Sequence, residues 1–271
     1  MNWHRINCPI CGEDNCELVL DRECWRGQVY LSICKNDGMV YLNPRWTDRE
    51  YSKFYRSDYY ATHHKGGSRV GIQQVCIVRS QMYFSSLRLD LSILDIGAGQ
   101  GELFDACDIV VLQPRIKEAI EADLSYQKDL DGKGVTVISD EVDSDWHIGR
   151  EKRYDFVVMR HVLEHFLNPE AVLKKVNIVL ADDGVLYLAV PNLMIISSKR
   201  TVNSHFEPAH AYYFSARTLE ALADRAGLQM LDFDSSSTEL YGVFKKGKVS
   251  KSREIHSVYD KQLAVLKAFI K

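Results

Sequence analysis

Residues 92–101 read SILDIGAGQG: a short run of apolar β-formers, an acid, and then Gly97, Gly99 and Gly101 at every second position. The run has the length of one buried strand. The glycines permit backbone angles closed to other residues and let a ligand approach the main chain closely. The spacing argues against one common use of such a turn. A dinucleotide fingerprint is G-x-G-x-x-G, and its third glycine would fall on Glu102, an acid that would repel a pyrophosphate at the helix entrance. A ligand without phosphates fits better.

Working outward, short apolar runs alternate with helical segments. Further strands are predicted at residues 119–123, 135–139 (VTVIS), 154–159 (YDFVVM) and 184–190 (GVLYLAV), which is the pattern of a parallel sheet covered on both faces. Asn168-Pro169-Glu170 has the cap, the proline and the acid of a helix start, and that helix stops before Asp183-Gly184. Ser215 can cap a second helix that Gly227 terminates. Residues 229–234 and 239–245 read as an antiparallel closing hairpin, and a helix is predicted at about 71–87. After a basic linker, residues 254–271 have the pattern of an amphipathic tail helix. There is no internal repeat.

Composition bounds the function. The chain has 271 residues, 46% of them hydrophobic and 26% charged, enough for a sizeable core and too apolar for disorder. A formal charge of −3 offers no basic field for a phosphate backbone, so nucleic acid is not expected as a partner. The longest uncharged stretch, 184–198, is broken by Pro191 and Asn192 and falls short of the about 20 apolar residues that a spanning helix needs. The first residues lack a basic-then-apolar signal pattern, so the expected location is cytoplasmic, with no membrane partner.

Cysteine use is lopsided: Cys8, Cys11, Cys16, Cys24 and Cys34 crowd the amino terminus, and only Cys76 and Cys107 lie elsewhere. In a reducing compartment such a cluster points to metal rather than disulfides. Cys8-Pro9-Ile10-Cys11-Gly12 has the shape of a zinc knuckle, and Cys34-Lys35-Asn36-Asp37-Gly38 stands where a second knuckle belongs. Cys8, Cys11, Cys34 and Asp37 are therefore the candidate metal ligands. Asp37 occupies the place of a fourth cysteine, and Cys16 or Cys24 is the alternative source of a thiolate. A closed ribbon of this kind would be structural.

LDIGAGQGELF (residues 94–104) resembles the first motif of class I S-adenosylmethionine-dependent methyltransferases, and the downstream features fall in that family's order. The resemblance covers roughly residues 91–245. It implies that Asp95, Gly97, Ala98, Gly99 and Gly101 cradle S-adenosylmethionine and that an acid after the second strand takes the ribose hydroxyls. Asp123-Leu124-Ser125 resembles the family's D/E-x-S pattern, and Glu121, two residues earlier on the same strand face, is the alternative. Asp140 stands at the position of the adenine-amino acceptor, and Arg160-His161 closes the fourth strand at the ligand edge of the sheet.

The segments HVLEH (161–165), VPN (190–192) and HAYYFS (210–215) resemble one branch of the family. MVYLNPRWTDREYSKFYRSDYY (39–60) resembles the stretch that follows the zinc ribbon in sugar-modifying members. This implies a doubly wound, seven-stranded Rossmann-like α/β methyltransferase sheet behind a small zinc-ribbon-like module, and a small-molecule acceptor, a nucleotide-linked sugar. The expected division is a cysteine-rich module at 1–60, a linker and helix at 61–90, the methyltransferase domain at 91–248 and a tail helix at 249–271. Residues 63–68 (HHKGGS) read as linker.

Methyl transfer to a sugar hydroxyl, or to a carbon beside a carbonyl, needs a base, and histidine is the default near neutral pH. The candidates are His210 first, His161 second and His165 third, with His205 also beyond the fifth strand. On a helix, His161 and His165 would share a face and Glu164 would point away from it, so no carboxylate set would complete a metal site there. Tyr55, Tyr59 and Tyr60 could wall an acceptor site, but packing is the first reading for them and for Tyr212 and Tyr213. The competing functions are methylation of a quinone or phenol, methylation of RNA or protein, and non-catalytic cofactor binding.

Overall fold

The structure, a computed structural model, describes residues 2–55, 72–84, 88–247 and 258–271. Its centre is a seven-stranded sheet of β6 (Ser92–Ile96), β7 (Ile116–Ile120), β8 (Thr136–Ser139), β9 (Tyr154–Arg160), β10 (Leu180–Pro191), β12 (Leu228–Asp234) and β13 (Glu239–Lys246). The order across the sheet is β12-β13-β10-β9-β6-β7-β8. The pairs among β8, β7, β6, β9 and β10 are parallel; β13 is antiparallel to both β10 and β12.

Two apolar layers cover this sheet because its strands alternate strictly. Ile93, Phe156, Val158, Val185, Tyr187 and Ala189 face one way, against α2 (Ile72–Phe84) and α3 (Glu102–Ile109). Leu94, Val157, Met159, Leu186, Leu188 and Val190 face the other, against α5 (Pro169–Val179) and α7 (Ala216–Arg225). Both helix starts are as expected: Asn168 accepts from the Ala171 amide and Ser215 from the Thr218 amide. Gly227, at φ +76°, follows α7. Two shorter helices are α4 (Gln127–Gly132), after β7, and α6 (Val202–His205), after β10.

Several boundaries differ from expectation. β7 runs over Ile116–Ile120 rather than 119–123, so Glu121 and Asp123 lie beyond its end. Its charged first half hid it: buried Glu118 accepts from Arg153 at 2.6 Å and also from the Tyr154 hydroxyl, partners just before and at the start of β9. β10 begins at Leu180, directly after α5, with an irregularity before Val185. The described parts of the tail helix α8 and of α2 are Val258–Ile270 and Ile72–Phe84; residues 71, 85–87 and 254–257 of the expected ranges lie outside the described residues.

The amino-terminal segment forms a hairpin of β2 (Cys16–Cys24) and β3 (Gly27–Cys34), extended by β4 (Val40–Leu42). Its fourth strand comes from far along the chain: β11 (Tyr212–Tyr213) pairs with β4. β1 (Trp3–His4) pairs separately with β5 (Arg45–Trp46), ahead of α1 (Asp48–Phe54). Arg45 fastens the segment to the large sheet's layers by donating to the Tyr212 hydroxyl at 2.8 Å and to the Leu167 carbonyl at 3.1 Å. Tyr212 and Tyr213 are thus packing residues, both buried. α8 closes over the hairpin: Leu266 is buried with Leu20, Val29 and Leu31, and the Tyr259 hydroxyl donates to Glu17 at 2.6 Å. No helix among the described residues is long and apolar enough to cross a membrane.

Candidate active site

The glycine turn sits at the carboxyl end of β6, where ligands bind in sheets of this topology. Gly97 has φ +81°, and a Cβ there would stand 2.2 Å from Val162 Cγ1, so only glycine lets the segment after β9 pack onto the turn. Gly101, at φ +79°, opens α3. Glu121 ties the turn to the end of the next strand: its carboxylate accepts from the Gly99 amide at 2.7 Å and from the Asp123 amide at 2.8 Å. Asp123 Oδ1 accepts from the Ser125 amide at 2.9 Å, which turns the chain into a 3-10 helix over Leu124–Tyr126. Leu124 lies 63% exposed at that edge, and Asp140 is exposed just past β8.

The field around the turn is negative. Asp95 is buried, and burial together with the nearby carboxylates of Glu121 and Glu102 pushes its pKa up to about 8, with Arg160 pulling the other way. Such a site repels phosphate and favours a cation.

Across Val162 the chemistry changes. His161 has φ +55°, a left-handed conformation uncommon outside glycine, and residues 163–165 form a 3-10 turn rather than an α-helix. Helical phase therefore does not apply, and the expectation for Glu164 is overturned. Its side chain is 2% exposed and turned in among the histidines, with Oε1 3.7 Å from His161 Nδ1 and 3.9 Å from His165 Nε2. The His165 and His210 rings meet edge to face with centroids 4.7 Å apart. His165 Nδ1 lies 3.0 Å from the Ala209 carbonyl, to which the Tyr55 hydroxyl also donates, at 3.1 Å.

His161 Nε2 lies 2.6 Å from Glu239, which also pairs with Arg160 at 2.8 Å. Burial pulls the His161 pKa down, but its bonds to Glu164 and Glu239 outweigh that and raise it to about 9. Burial takes His210 down to about 3 and lowers His165. His205 lies apart, packed on Phe206, Tyr213 and Phe269. Tyr59 and Tyr60 lie outside the described residues. Glu239 and Glu207, whose Oε1 is 3.6 Å from His210 Nε2, carry no sequence signal. Only the fold brings them in.

At the amino terminus the structure brings Cys8, Cys11, Cys34 and Asp37 together, one potential ligand atom of each within 4.8 Å of the others. Cys11 and Cys34 Sγ are 3.6 Å apart, and Cys8 Sγ is 3.2 Å from Asp37 Oδ2. Tetrahedral zinc holds thiolate sulfurs about 3.8 Å apart, so the set is close to the right size. The two halves match in backbone too: the Gly12 amide bonds to the Cys8 carbonyl and the Gly38 amide to that of Cys34, both at 2.9 Å. Cys16 Sγ lies instead against Asp14 and Asn43, and Cys24 is at the far end of the hairpin, buried with Leu20.

The strand order, with a reversed seventh strand and a glycine turn after the first central strand, defines the class I methyltransferase architecture. Residues 73–232, more than half the chain, match the methyltransferase domain family, and the chain belongs to it. It is a class I S-adenosylmethionine-dependent methyltransferase, an enzyme. No curated protein matches the chain by sequence.

Solved structures share the fold at low identity. The 1,6-didemethyltoxoflavin-N1-methyltransferase of Burkholderia thailandensis, solved with 1,6-didemethyltoxoflavin and S-adenosylhomocysteine, superposes with a TM-score of 0.57 at 16% identity, over 84% of this chain and all of that one. An S-adenosylmethionine-dependent methyltransferase of Clostridium acetobutylicum gives 0.53 at 10% identity, over 73% and 98%. One from Mesorhizobium loti gives 0.51 at 11%, over 64% and 99%.

Proposed function

We propose that this enzyme methylates a small polar acceptor, a nucleotide-linked sugar, at oxygen or at a carbon beside a carbonyl, with a histidine of the 161–210 group receiving the proton. The observation that carries the reading is the gathering of His161, His165 and His210 around Glu164, joined to the glycine turn through the Val162–Gly97 contact. A sugar hydroxyl is too weak an acid to react unaided, and imidazoles beside the donor meet that need. The resemblance of residues 39–60 to the sugar-modifying branch supports the acceptor class.

On the donor side, Gly97, Ala98, Gly99 and Gly101 approach the methionine portion, and Asp123, with Glu121 braced behind it, takes the ribose hydroxyls. Leu124 covers the adenine, Asp140 accepts from its amino group, and Arg160 and His161 border the methionine end. S-adenosylmethionine supplies an already activated methyl group, so the chain's task is to bind, orient and deprotonate. Asp95 and Glu121 complement its positive charge.

Cys8, Cys11, Cys34 and Asp37 would hold a structural zinc that ties residues 8–12 to 34–38. We further propose that the chain divides at about residues 60, 90 and 248, acts in the cytoplasm and has no nucleic-acid partner.

The test is formation of S-adenosylhomocysteine from S-adenosylmethionine across a panel of nucleotide sugars and of planar heterocycles and phenols. Turnover confined to the sugars is expected. Turnover confined to planar acceptors would overturn the sugar assignment in favour of chemistry like that of the Burkholderia enzyme, which was solved with a heterocycle bound.

A further inference from the structure

Glu164, His165 and His210 each place a ligand-capable atom within 4.8 Å of the other two. The Glu164 side chain is 2% exposed, and its Oε2 accepts no hydrogen bond among the described residues. A buried carboxylate oxygen left in that state is costly, and such atoms normally have a partner. The imidazoles are oriented to supply one. His165 Nδ1 lies 3.0 Å from the Ala209 oxygen and 3.1 Å from the Tyr55 hydroxyl; in the tautomer that donates to the carbonyl, Nε2 turns its lone pair towards Glu164. A backbone carbonyl holding the far nitrogen is the outer support that metal-bound histidines have. Glu207 stands in a similar relation to His210, 3.6 Å from Nε2.

We propose that Glu164, His165 and His210 bind a divalent first-row transition-metal ion. Two imidazoles and one carboxylate suit such ions, and three protein ligands leave coordination positions for water or for oxygen atoms of the acceptor. The use of those positions rests on the sugar-acceptor reading above; the binding itself does not. The site differs from the cysteine set, whose thiolates prefer softer coordination.

The test uses full-length protein dialysed free of loosely held metal and titrated with Co2+ alone. Thiolate ligation gives sulfur-to-cobalt charge-transfer absorption in the near ultraviolet, whereas a site of nitrogen and oxygen donors adds only visible bands. The expected result is one equivalent that adds visible absorbance without charge transfer, both in the wild type and in Cys11→Ser. Its affinity falls at least about a hundredfold in Glu164→Gln and in His210→Asn, since even outer-shell changes cost ten- to a hundredfold.

S-adenosylhomocysteine binding, measured on each protein, reports folding and stands apart from metal binding. Should Glu164→Gln fail to bind it, His210→Asn decides. No such equivalent in a wild type that binds S-adenosylhomocysteine would overturn the site and leave the enzyme reading intact; protonated His161 would then be the counter-charge of Glu164. Cobalt binding undiminished in the folded variants would overturn it equally. Cobalt bound by a wild type that does not bind S-adenosylhomocysteine would uphold the site and fail the donor assignment.

Discussion

The two sides of the Val162–Gly97 contact are built on opposite plans. On the glycine side, Glu102, Glu121 and Asp123 lie close together in the sequence beside the buried Asp95 and create a negative, main-chain-lined hollow. On the histidine side, the imidazoles of His161, His165 and His210 and the carboxylates of Glu164, Glu207 and Glu239 are assembled from residues 161–165, 207–210 and 239, with Tyr55 behind them. A cationic donor needs a fixed anionic cradle that a short contiguous motif can supply. An acceptor needs proton-handling groups held around a gap, and these come from several loops. On the proposed roles, one side belongs to a common architecture while the other would set what the enzyme modifies.

The contact between the sides is the place to break the comparison most severely. Gly97→Ala would drive a Cβ to 2.2 Å from Val162 Cγ1 at φ +81° and is expected to cost about 3 kcal/mol or more and to abolish S-adenosylhomocysteine binding. Gly134→Ala, also at positive φ but with nothing within 4 Å, is expected to cost about 1 kcal/mol and to leave binding intact. Equal melting curves for the two variants would remove the contact from the account.

Next in size is the zinc proposed for Cys8, Cys11, Cys34 and Asp37. Cys8, Cys34, Met39 and Tyr41 share one buried cluster with Leu186, Leu188 and Phe214, so loss of the ion should be felt throughout the fold. Chelation is expected to lower the melting temperature by about 5–10 °C, the shift for a ligand held at about a hundred times its Kd. An unchanged melting curve would mean that packing alone holds the knuckles.

The smallest effect sharpens the contrast in charge. The Asp95 carboxyl, pushed up to about 8, is protonated in the free protein at neutral pH. A folded-state pKa raised above the unfolded one gives stability that is full below about pH 4 and lost as pH climbs through 8. The free protein should therefore lose stability over that interval, and Asp95→Asn should flatten the slope. A cation bound beside Asp95 displaces its proton, so affinity for S-adenosylmethionine should rise with pH up to about 8, with proton release detectable by calorimetry in buffers of different ionisation enthalpy. A pH-independent affinity would remove Asp95 from the donor's surroundings.

Much of the fold was legible because its signals are local: strand-length apolar runs, the Asn168 and Ser215 caps, the glycines. Strand β7 was half hidden because Glu118 is charged and buried, and its partners Arg153 and Tyr154 lie some 35 residues away. The knuckle residues could be read from spacing, since each pair is four residues of one turn. The histidine side could not. An α-helix at 161–165 would turn Glu164 outward, whereas the left-handed His161 with a 3-10 turn swings it inward. Glu207 and Glu239 answer to no pattern at all. They join the site through the loop before β11 and the start of β13.

The proposed chemistry depends on the proposal that the glycine turn and the acid after β7 hold the methyl donor. Calorimetric titration with S-adenosylhomocysteine, with NAD as control, tests it most directly. The account predicts micromolar binding to the wild type, no response to NAD, and a loss of about ten- to a hundredfold in Asp123→Ala, the worth of hydrogen bonds to a charged group. Undiminished binding in Asp123→Ala, or none in the wild type, would contradict it.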